Sequence, residues 1–269
     1  MNMDKRPILF LDSGIGGISY CRHFHRRNPA ETIYYLADRL NFPYGTRGKD
    51  ELAAILISLM EKLVKLADLK IVVLACNTAS VSTLAELRRN FPDLLFVGTV
   101  PAVKPAMLVS KTGKVGLLGT ARTIEDPYIQ GLTGGACEIF GVAAPELVEF
   151  VERLFLRADE NEKIEMARKY VKPFLAAGVD TLVLGCTHFL FLLEEFKREA
   201  APSIQVFDSI DGITQRIESL LDDKDAVFRA ENNTAPQNRI LLTGTEPPAS
   251  SWETLAEQLG FRLSLLDEV

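Results

Sequence analysis

Two cysteines follow similar apolar runs in distant parts of the chain. In IVVLACNTAS (71–80) Cys76 follows a β-branched run, and in TLVLGCTHFL (181–190) Cys186 does the same. His188 lies two residues beyond Cys186, where an imidazole could orient the thiol or take its proton. Because thiols can act as nucleophiles or as acid/base groups, both cysteines are candidates for chemistry.

A pair of thiols that flanks one substrate carbon suits stereochemical inversion. A thiolate on one side removes the proton, and the thiol on the other side delivers a proton to the opposite face, which gives the mirror-image product. A single acid/base group would have to cross the plane of the carbanion. No lysine stands at a recognisable strand end, so a pyridoxal cofactor is not indicated. The sequence therefore favours racemisation without a cofactor.

The other cysteines and histidines do not form a second candidate site. A single buried cysteine is more often a small hydrophobic residue than a catalytic one, and only the matched positions of the pair favour catalysis. Cys21 and Cys137 fall inside a helical stretch and at a strand start, so we interpret both as structural. His23 and His25 point in different directions on a predicted helix, and we expect no metal site.

Hydrogen-bonding groups stand close to the same strand ends. DSGIGG (12–17) lacks the GxGxxG spacing of a dinucleotide loop, and its glycines permit a tight turn and the close approach of a ligand. NFPYGTR (41–47) is a Pro/Gly loop that could form a pocket wall. We expect the backbone amides of the first loop to bind a carboxylate. Further hydrogen bonds would come from Ser13, Asn77, Thr78 and Thr187.

Short apolar runs alternate with helical patterns along almost the whole chain. This alternation predicts an α/β fold with mainly parallel sheets flanked by helices. In such sheets, ligands bind beyond the carboxyl ends of strands, near helix N-termini that favour a thiolate. The predicted strands are 8–12, 32–37, 71–75, 94–98, 114–119, 137–143, 181–185 and 204–208, and the predicted helices include 48–67, 78–90, 159–177 and 188–200.

The chain also repeats itself. Asp12 and Thr120 each end an apolar strand, and each precedes one of the two cysteines by nearly the same number of residues. We infer two similar lobes, related by pseudo-twofold symmetry, with the active site between them. After a polar loop at 230–238, the segment 239–266 is typical of a strand–helix–strand unit, which we expect to pack on the first lobe.

The composition of the chain indicates its cellular compartment and the classes of partner that it could bind. The chain has 269 residues, of which 47% are hydrophobic, and a net charge of −6, which gives no support for nucleic acid or an anionic membrane as a partner. No apolar run is long enough to span a membrane, and the one before Asp12 is too short for a signal peptide. Four cysteines without a CxxC pair predict free thiols in a reducing, cytoplasmic compartment.

Five segments resemble the glutamate racemase family. They occur in the order DSGIGG (12–17), PYGTR (43–47), ACNTAS (75–80), GTARTIEDPY (119–128) and GCTH (185–188). The resemblance runs from about residue 8 to 215, and ACNT followed by GCTH is a specific combination. It implies an enzyme that supplies D-glutamate for peptidoglycan, with glutamate as its small-molecule partner and with neither cofactor nor metal.

The resemblance also implies a role for each matching residue. Cys76 and Cys186 would be the acid/base pair, with Asp12 assisting the first thiol and His188 the second. Glu152 falls where the family places an acidic partner for the histidine, although Glu146 and Glu149 lie close by. Substrate contacts are expected from Asp12, Ser13, Pro43, Tyr44, Gly45, Asn77, Thr78, Thr120, Thr123, Thr187 and His188.

In the same family the second lobe is an insertion in the first. This implies a first lobe formed by 1–97 and 208–269 and a second formed by 98–207. A homodimer is possible, but the sequence does not give the oligomeric state. One departure stands beside Cys186, because the family usually continues GCTH with Tyr-Pro-Leu whereas this chain has Phe189-Leu190-Phe191. The departure bears on the local shape of the pocket and not on the thiol pair.

Three other interpretations fit the same residues. A racemase for aspartate or another amino acid would use the same thiols, and pocket length would separate it from a glutamate enzyme. A two-lobed binding protein without catalysis would tolerate the loss of either thiol. A redox switch would join Cys76 to Cys186 with Cα atoms roughly 4.4–6.8 Å apart, closer than a substrate between the thiols allows.

Overall fold

A computed structural model describes residues 6–222 and 236–268. The chain divides into two compact units, Met1–Thr99 with Ile210–Val269 and Val100–Ser209. The described strands are, in chain order, β1 (Ile8–Asp12), β2 (Ile33–Ala37), β3 (Ile71–Leu74), β4 (Leu95–Gly98), β5 (Lys114–Gly119), β6 (Glu138–Ala143), β7 (Thr181–Leu184), β8 (Gln205–Phe207), β9 (Arg239–Leu242) and β10 (Arg262–Leu265).

Helices separate most of these strands. The described α-helices are α1 (Ile18–Arg27), α2 (Lys49–Leu66), α3 (Asn77–Asn90), α4 (Val103–Val109), α5 (Ala121–Glu125), α6 (Pro127–Gly131), α7 (Pro145–Arg153), α8 (Glu160–Ala177), α9 (Leu193–Ala200), α10 (Ile210–Asp222) and α11 (Ser250–Leu259). Short 3₁₀ segments lie at Arg39–Asn41, Tyr44–Thr46, Thr187–Leu192 and Leu266–Glu268.

The first unit contains a six-stranded sheet in the order β10-β9-β2-β1-β3-β4. All its strand pairs are parallel, and β1 lies between β2 and β3. Every side chain of β1 is buried, as expected for a central strand of a parallel sheet. Helix α2 covers this sheet with a buried stripe that includes Leu52, Leu56 and Leu63. The terminal β9–α11–β10 segment joins the sheet because β9 pairs with β2.

The second unit contains a four-stranded parallel sheet in the order β6-β5-β7-β8. Here β5 lies between β6 and β7, as β1 lies between β2 and β3 in the first unit. The strand order of the second sheet therefore repeats the order β2-β1-β3-β4. The predicted α/β fold with parallel sheets flanked by helices is confirmed, and the sequence repeat corresponds to this repeated strand order.

Two predicted segments differ from the structure or lie outside it. The helix predicted at 188–200 is wrong in its first half, because Thr187–Leu192 forms a 3₁₀ segment and the α-helix begins at Leu193. Five of the six side chains of the 3₁₀ segment are buried, so it lacks the exposed face of an amphipathic helix. The first part of the polar loop predicted at 230–238 lies outside the described residues.

Helix α8 shows how the local sequence sets an element. Asp159 caps its N-terminus, since its side chain accepts a hydrogen bond from the Glu162 amide at 2.9 Å while the Glu162 carboxylate accepts one from the Asp159 amide at 2.8 Å. Gly178 ends the helix in the left-handed conformation.

Over residues 6–222 and 236–268, no helix is both long and apolar enough to cross a membrane.

Candidate active site

In the first unit, three polar or reactive residues follow three neighbouring strands. Asp12 ends β1, Asp38 follows β2, and Cys76 lies two residues beyond Leu74, where β3 ends. The Asp38 amide donates to the Asp12 carbonyl at 2.8 Å, and the Ala75 amide donates to the Leu11 carbonyl at 2.8 Å. Because the strands are parallel, their carboxyl ends meet at one edge of the sheet, which brings these three residues together.

Cys76 stands at the N-terminus of α3. Its backbone is extended, its carbonyl accepts a hydrogen bond from the Ser80 amide at 2.9 Å, and the residue is buried. The unpaired amides and the dipole of a 14-residue helix favour the thiolate form of a cysteine in this position. The predicted position of Cys76, at a strand end and before a helix, is therefore the one in the structure.

Asn77, the first residue of α3, has a buried side-chain amide. Within the described residues, neither its nitrogen nor its oxygen has a hydrogen-bond partner. Leaving a buried polar group unpaired costs about 1–3 kcal/mol, so a ligand that pairs with this amide would gain that much. Thr78 follows Asn77 and is buried as well. The start of α3 is thus suited to bind a polar ligand.

The DSGIGG loop is held in a compact turn beside this helix. The Ser13 amide donates to Asp12 Oδ1 at 2.7 Å, and the Tyr35 hydroxyl donates to the Gly14 carbonyl at 2.6 Å. A Cβ at Gly17 would lie 2.7 Å from Ala75 Cβ and 2.8 Å from the Ala75 carbonyl oxygen. Gly17 therefore allows the start of α1 to approach the residue just before Cys76.

The loop after β2 contributes Tyr44, which is buried beside Cys76 in one apolar cluster. Pro43 precedes the 3₁₀ turn Tyr44–Thr46, which includes Gly45. The Tyr44 hydroxyl donates to Asp38 Oδ2 at 2.8 Å. Burial, followed by the negative charge of Asp38, raises the pKa of Tyr44 well above its usual value, so this phenol stays protonated.

Asp38 was not among the residues predicted from the sequence. It directly follows the predicted strand 32–37, so the same rule that selected Asp12 would have selected it. Thr243 was missed as well, because the sequence places it inside the strand expected at the start of the 239–266 segment, whereas β9 ends at Leu242. Its hydroxyl donates to Asp38 Oδ1 at 2.8 Å.

In the second unit, Cys186 follows β7 and is buried. Its Sγ lies 3.8 Å from His188 Nδ1, and His188 Nε2 lies 3.0 Å from Glu152 Oε2. Sulfur, imidazole and carboxylate thus form a hydrogen-bonded chain. Glu152 belongs to α7, whereas Cys186 and His188 belong to the segment after β7, so tertiary packing assembles the chain.

The acidic residue that contacts His188 is Glu152 and not one of its neighbours. Glu146 forms an ion pair with Lys169 at 2.5 Å, and Glu149 lies 3.5 Å from Arg153. The contact settles which carboxylate stands beside the histidine, and the catalytic role of Glu152 stays a prediction.

The environment of His188 favours its protonated form. Burial alone would lower its pKa, but the hydrogen bonds to Cys186 and Glu152, together with the electrostatic interactions with both groups, outweigh burial and raise the pKa well above its usual value. An imidazolium in this place can stabilise a thiolate on Cys186 or return a proton to it. Because a 3₁₀ segment follows Cys186, we expect the imidazole, more than a helix dipole, to stabilise a thiolate in this place.

Three threonines lie near the ends of β5 and β7: Thr120, Thr123 and Thr187. Thr120 caps α5, since its hydroxyl accepts a hydrogen bond from the Thr123 amide at 3.2 Å, and the two hydroxyls lie 3.0 Å apart. Thr187 is buried next to Cys186. Strand β5, which ends before Thr120, pairs with β7, which ends before Cys186. These residues therefore share one edge of the second sheet.

The structure groups the predicted residues by unit. One group lies at one edge of the first sheet and consists of Asp12, Ser13, the 43–45 loop, Cys76, Asn77 and Thr78. The other group lies in the second unit and consists of Thr120, Thr123, Glu152 and the segment from Cys186 to His188. The facing of the two thiols across one substrate stays a prediction.

Two cysteines lie apart from these groups. Cys21 is buried inside α1, and burial raises the pKa of its thiol, which makes it unreactive. Cys137 precedes β6 and is partly exposed. Within the described ranges, no group of three or more His, Cys, Asp and Glu side chains is arranged to hold a metal ion.

Comparisons with known proteins agree on one family. A model described as Asp/Glu/Hydantoin racemase matches residues 8–217. A glutamate racemase of Roseiflexus sp. (strain RS-1) is 40% identical over 226 residues, which cover 83% of this chain and 82% of the relative. A glutamate racemase of Bartonella quintana (strain Toulouse) is 32% identical over 97% of both chains.

Solved structures give the same result. The crystal structure of Escherichia coli glutamate racemase in complex with L-glutamate and the activator UDP-MurNAc-Ala is similar with a TM-score of 0.84, 29% identity and 97% of each chain covered. A glutamate racemase from Bacillus anthracis has a TM-score of 0.80 and 30% identity over 97% of this chain and 96% of its own.

Proposed function

The chain belongs to the Asp/Glu/Hydantoin racemase family, and from this we propose that it is a cofactor-independent glutamate racemase with Cys76 and Cys186 as its two acid/base groups. The observation that carries the proposal is the matched placement of the two thiols. Cys76 follows β3 and Cys186 follows β7, the third strands of the repeated orders β2-β1-β3-β4 and β6-β5-β7-β8, and both cysteines are buried.

The proposed reaction moves one proton from the substrate to one thiolate and another proton from the other thiol to the substrate. In one direction the Cys76 thiolate takes the proton from the substrate Cα, the electron pair passes into the substrate carboxylate, and the Cys186 thiol gives its proton to the opposite face. The reverse reaction exchanges the roles. Each thiol would contribute a factor of about 10²–10⁴ to the rate, as acid/base groups do.

The neighbours of each thiol support this assignment. His188, held by Glu152 and protonated, would stabilise the Cys186 thiolate after proton delivery. On the other side, Asp12 would assist Cys76, and the unpaired amide of Asn77 would bind a polar group of the substrate. The hydroxyls of Ser13, Thr78, Thr120, Thr123 and Thr187 would supply further hydrogen bonds.

Substrate and compartment follow from the relatives and from the chemistry. The relatives are named glutamate racemases, and the E. coli structure contains L-glutamate, so we assign glutamate and not aspartate as the substrate. We place the enzyme in the cytoplasm, where thiols stay reduced and D-glutamate enters peptidoglycan synthesis.

Glutamate racemisation can be tested by measuring deuterium incorporation and optical rotation in the same reaction. Purified protein is incubated with L-glutamate in deuterated water, and the expected result is loss of optical rotation with one deuterium gained at Cα. L-aspartate in a parallel reaction tests the alternative substrate. If glutamate gains no deuterium and keeps its rotation, the proposal is wrong.

Single variants test the two thiols. Cys76→Ser and Cys186→Ser should each lower the racemisation rate by a factor of about 10²–10⁴. Cys137→Ser is the matched control, since that cysteine lies outside both groups, and it should keep the parent rate. A non-catalytic binding protein would instead bind glutamate equally well in all of these variants without racemising it.

A further inference from the structure

Asp38 joins three parts of the first unit at the edge that carries Cys76. Its Oδ2 accepts a hydrogen bond from Tyr44, its Oδ1 accepts one from Thr243, and its amide donates to the Asp12 carbonyl. The Asn41 side-chain amide donates to both carboxylate oxygens, at 3.1 and 2.9 Å. The carboxylate is buried, and its hydrogen-bonding capacity is used by these donors.

Thr243 is fixed from both sides. Its hydroxyl donates to Asp38 and accepts a hydrogen bond from the Leu40 amide at 3.1 Å. The Thr243 carbonyl accepts from Arg39 Nε at 3.1 Å, and Arg39 Nη2 donates to the Glu246 carbonyl at 2.9 Å. The end of β9 therefore holds the beginning of the loop that continues to Tyr44.

We infer that Thr243 and Asp38 are positioning residues, which fix the Tyr44 side of the substrate pocket from the C-terminal segment of the chain. This inference rests on the proposed function. It extends the site beyond the part that the family model matches, since that match ends at residue 217 and Thr243 follows β9. Tyr44 is the proposed substrate contact, and the other two residues act only through it.

The geometry explains why these residue types are needed. Tyr44 and Thr243 both donate to the carboxylate, so Asp38 must offer two acceptor oxygens. Asparagine at this position has the same shape, but its amide group has one acceptor oxygen and a nitrogen that meets a second donor. Valine at position 243 has the shape of threonine but lacks the hydroxyl, and serine keeps it.

Thr243→Val and Thr243→Ser are therefore a matched pair. In Thr243→Val, the KM for L-glutamate and for D-glutamate should rise about tenfold, which corresponds to about 1.4 kcal/mol, while kcat changes by less than about threefold. In Thr243→Ser, KM should stay within about twofold of the parent. A residue that only supports the fold would lower the melting temperature without this change in KM, and that result would overturn the inference.

A double variant tests whether Thr243 acts through Tyr44. If it does, the KM increase of Thr243→Val combined with Tyr44→Phe should be smaller than the product of the two single effects. Multiplicative effects would show that Thr243 acts independently of Tyr44, and they would contradict the proposed route.

A measurement without substrate separates this inference from the proposed function. Hydrogen–deuterium exchange of the 38–48 segment should be faster in Thr243→Val than in the parent and in Thr243→Ser, because the loop loses its tie to β9. If the parent does not racemise glutamate, the proposed function fails, but the exchange rates still report on the loop. Equal exchange in all three proteins would overturn the positioning role.

Discussion

The hydrogen bonds of His188 to Cys186 and Glu152 raise its pKa against the effect of burial, and the Glu152 carboxylate accepts a hydrogen bond from the imidazole on the side away from Cys186. The sequence predicted Cys186 and His188 as neighbours, since two residues cannot move far apart in the chain. It could not select Glu152 over Glu146 or Glu149, because the choice depends on how α7 packs beside the segment after β7. A helix surface exposes several carboxylates, and only tertiary packing decides which one reaches the imidazole.

Glu152→Gln should lower the pKa of His188 and slow the enzyme. The variant loses the negative charge and the strong acceptor that favour the imidazolium, so the histidine should titrate closer to its ordinary value of about 6.5. Without a protonated partner for the Cys186 thiolate, kcat should fall at least about tenfold. NMR titration of the imidazole resonances measures the pKa, and His188→Asn identifies the resonance.

The same contact makes stability depend on pH. A histidine whose pKa is raised on folding adds stability that is fully present below its unfolded pKa and is lost as the pH rises through the folded pKa. Urea denaturation should therefore show the largest difference between the parent and Glu152→Gln near pH 6, and the difference should shrink as the pH rises.

Glu149→Gln is the control for both measurements, because Glu149 lies on the same helix but pairs with exposed Arg153. It should leave the histidine pKa and kcat unchanged. If Glu149→Gln and Glu152→Gln behave alike, the effect belongs to the charge of α7 and not to the contact with His188.

At the scale of elements, the positions of Cys76 and Cys186 depend on how the strand ends are packed. Strands were predictable to within one or two residues, because buried parallel strands are short apolar runs with clear polar ends. The segment after Cys186 was not predictable, because THFLFL is mostly apolar and has no pattern of buried and exposed positions that would separate a 3₁₀ segment from an α-helix. Its conformation follows from burial on several sides.

Gly17→Ala should disturb the strand end that carries Cys76. The added Cβ would overlap the Cβ and the carbonyl oxygen of Ala75, so the start of α1 or the end of β3 must move. We expect a loss of stability of about 1–3 kcal/mol, as for other overpacked sites. This corresponds to a lower melting temperature by about 2–4 °C for each kcal/mol in a chain of this size range. Calorimetry measures the loss of stability. We also expect kcat/KM for glutamate to fall, and steady-state kinetics measures that change.

Gly212→Ala controls for the substitution itself. Gly212 lies in α10 of the same unit, and a Cβ there meets no atom within 4 Å. Alanine is the better helix former by about 0.8–1.0 kcal/mol, so this variant should melt at the parent temperature or above. A Gly17→Ala protein with parent stability and activity would mean that the close approach to Ala75 is not required.

At the scale of the whole molecule, the repeat was visible in the sequence because each unit places its cysteine at the same topological position. The strand order β2-β1-β3-β4 recurs as β6-β5-β7-β8, although the residues that support the thiols differ between the units. Asp12, Tyr44 and Asp38 accompany Cys76, whereas His188 and Glu152 accompany Cys186. The fold is therefore repeated, while the chemistry around each thiol is not.

This asymmetry allows a thermodynamic prediction for variants of either unit. L- and D-glutamate have the same free energy in water, so the values of kcat/KM for the two directions must be equal in the parent and in every variant that still racemises. KM and kcat can change separately for each enantiomer, because the two thiols have different neighbours. A variant of the first unit, such as Thr243→Val, and one of the second, such as Glu152→Gln, should each lower kcat/KM equally in both directions.

The measurement starts from each pure enantiomer and follows circular dichroism until the signal disappears. Initial rates over a range of concentrations give kcat/KM for each direction, and the parent enzyme gives the reference. If a purified variant slowed only the conversion of L-glutamate and kept the parent kcat/KM for D-glutamate, the two reactions would not be one reversible proton transfer. A second activity would then act on one enantiomer, and the measured rates would not describe racemisation alone.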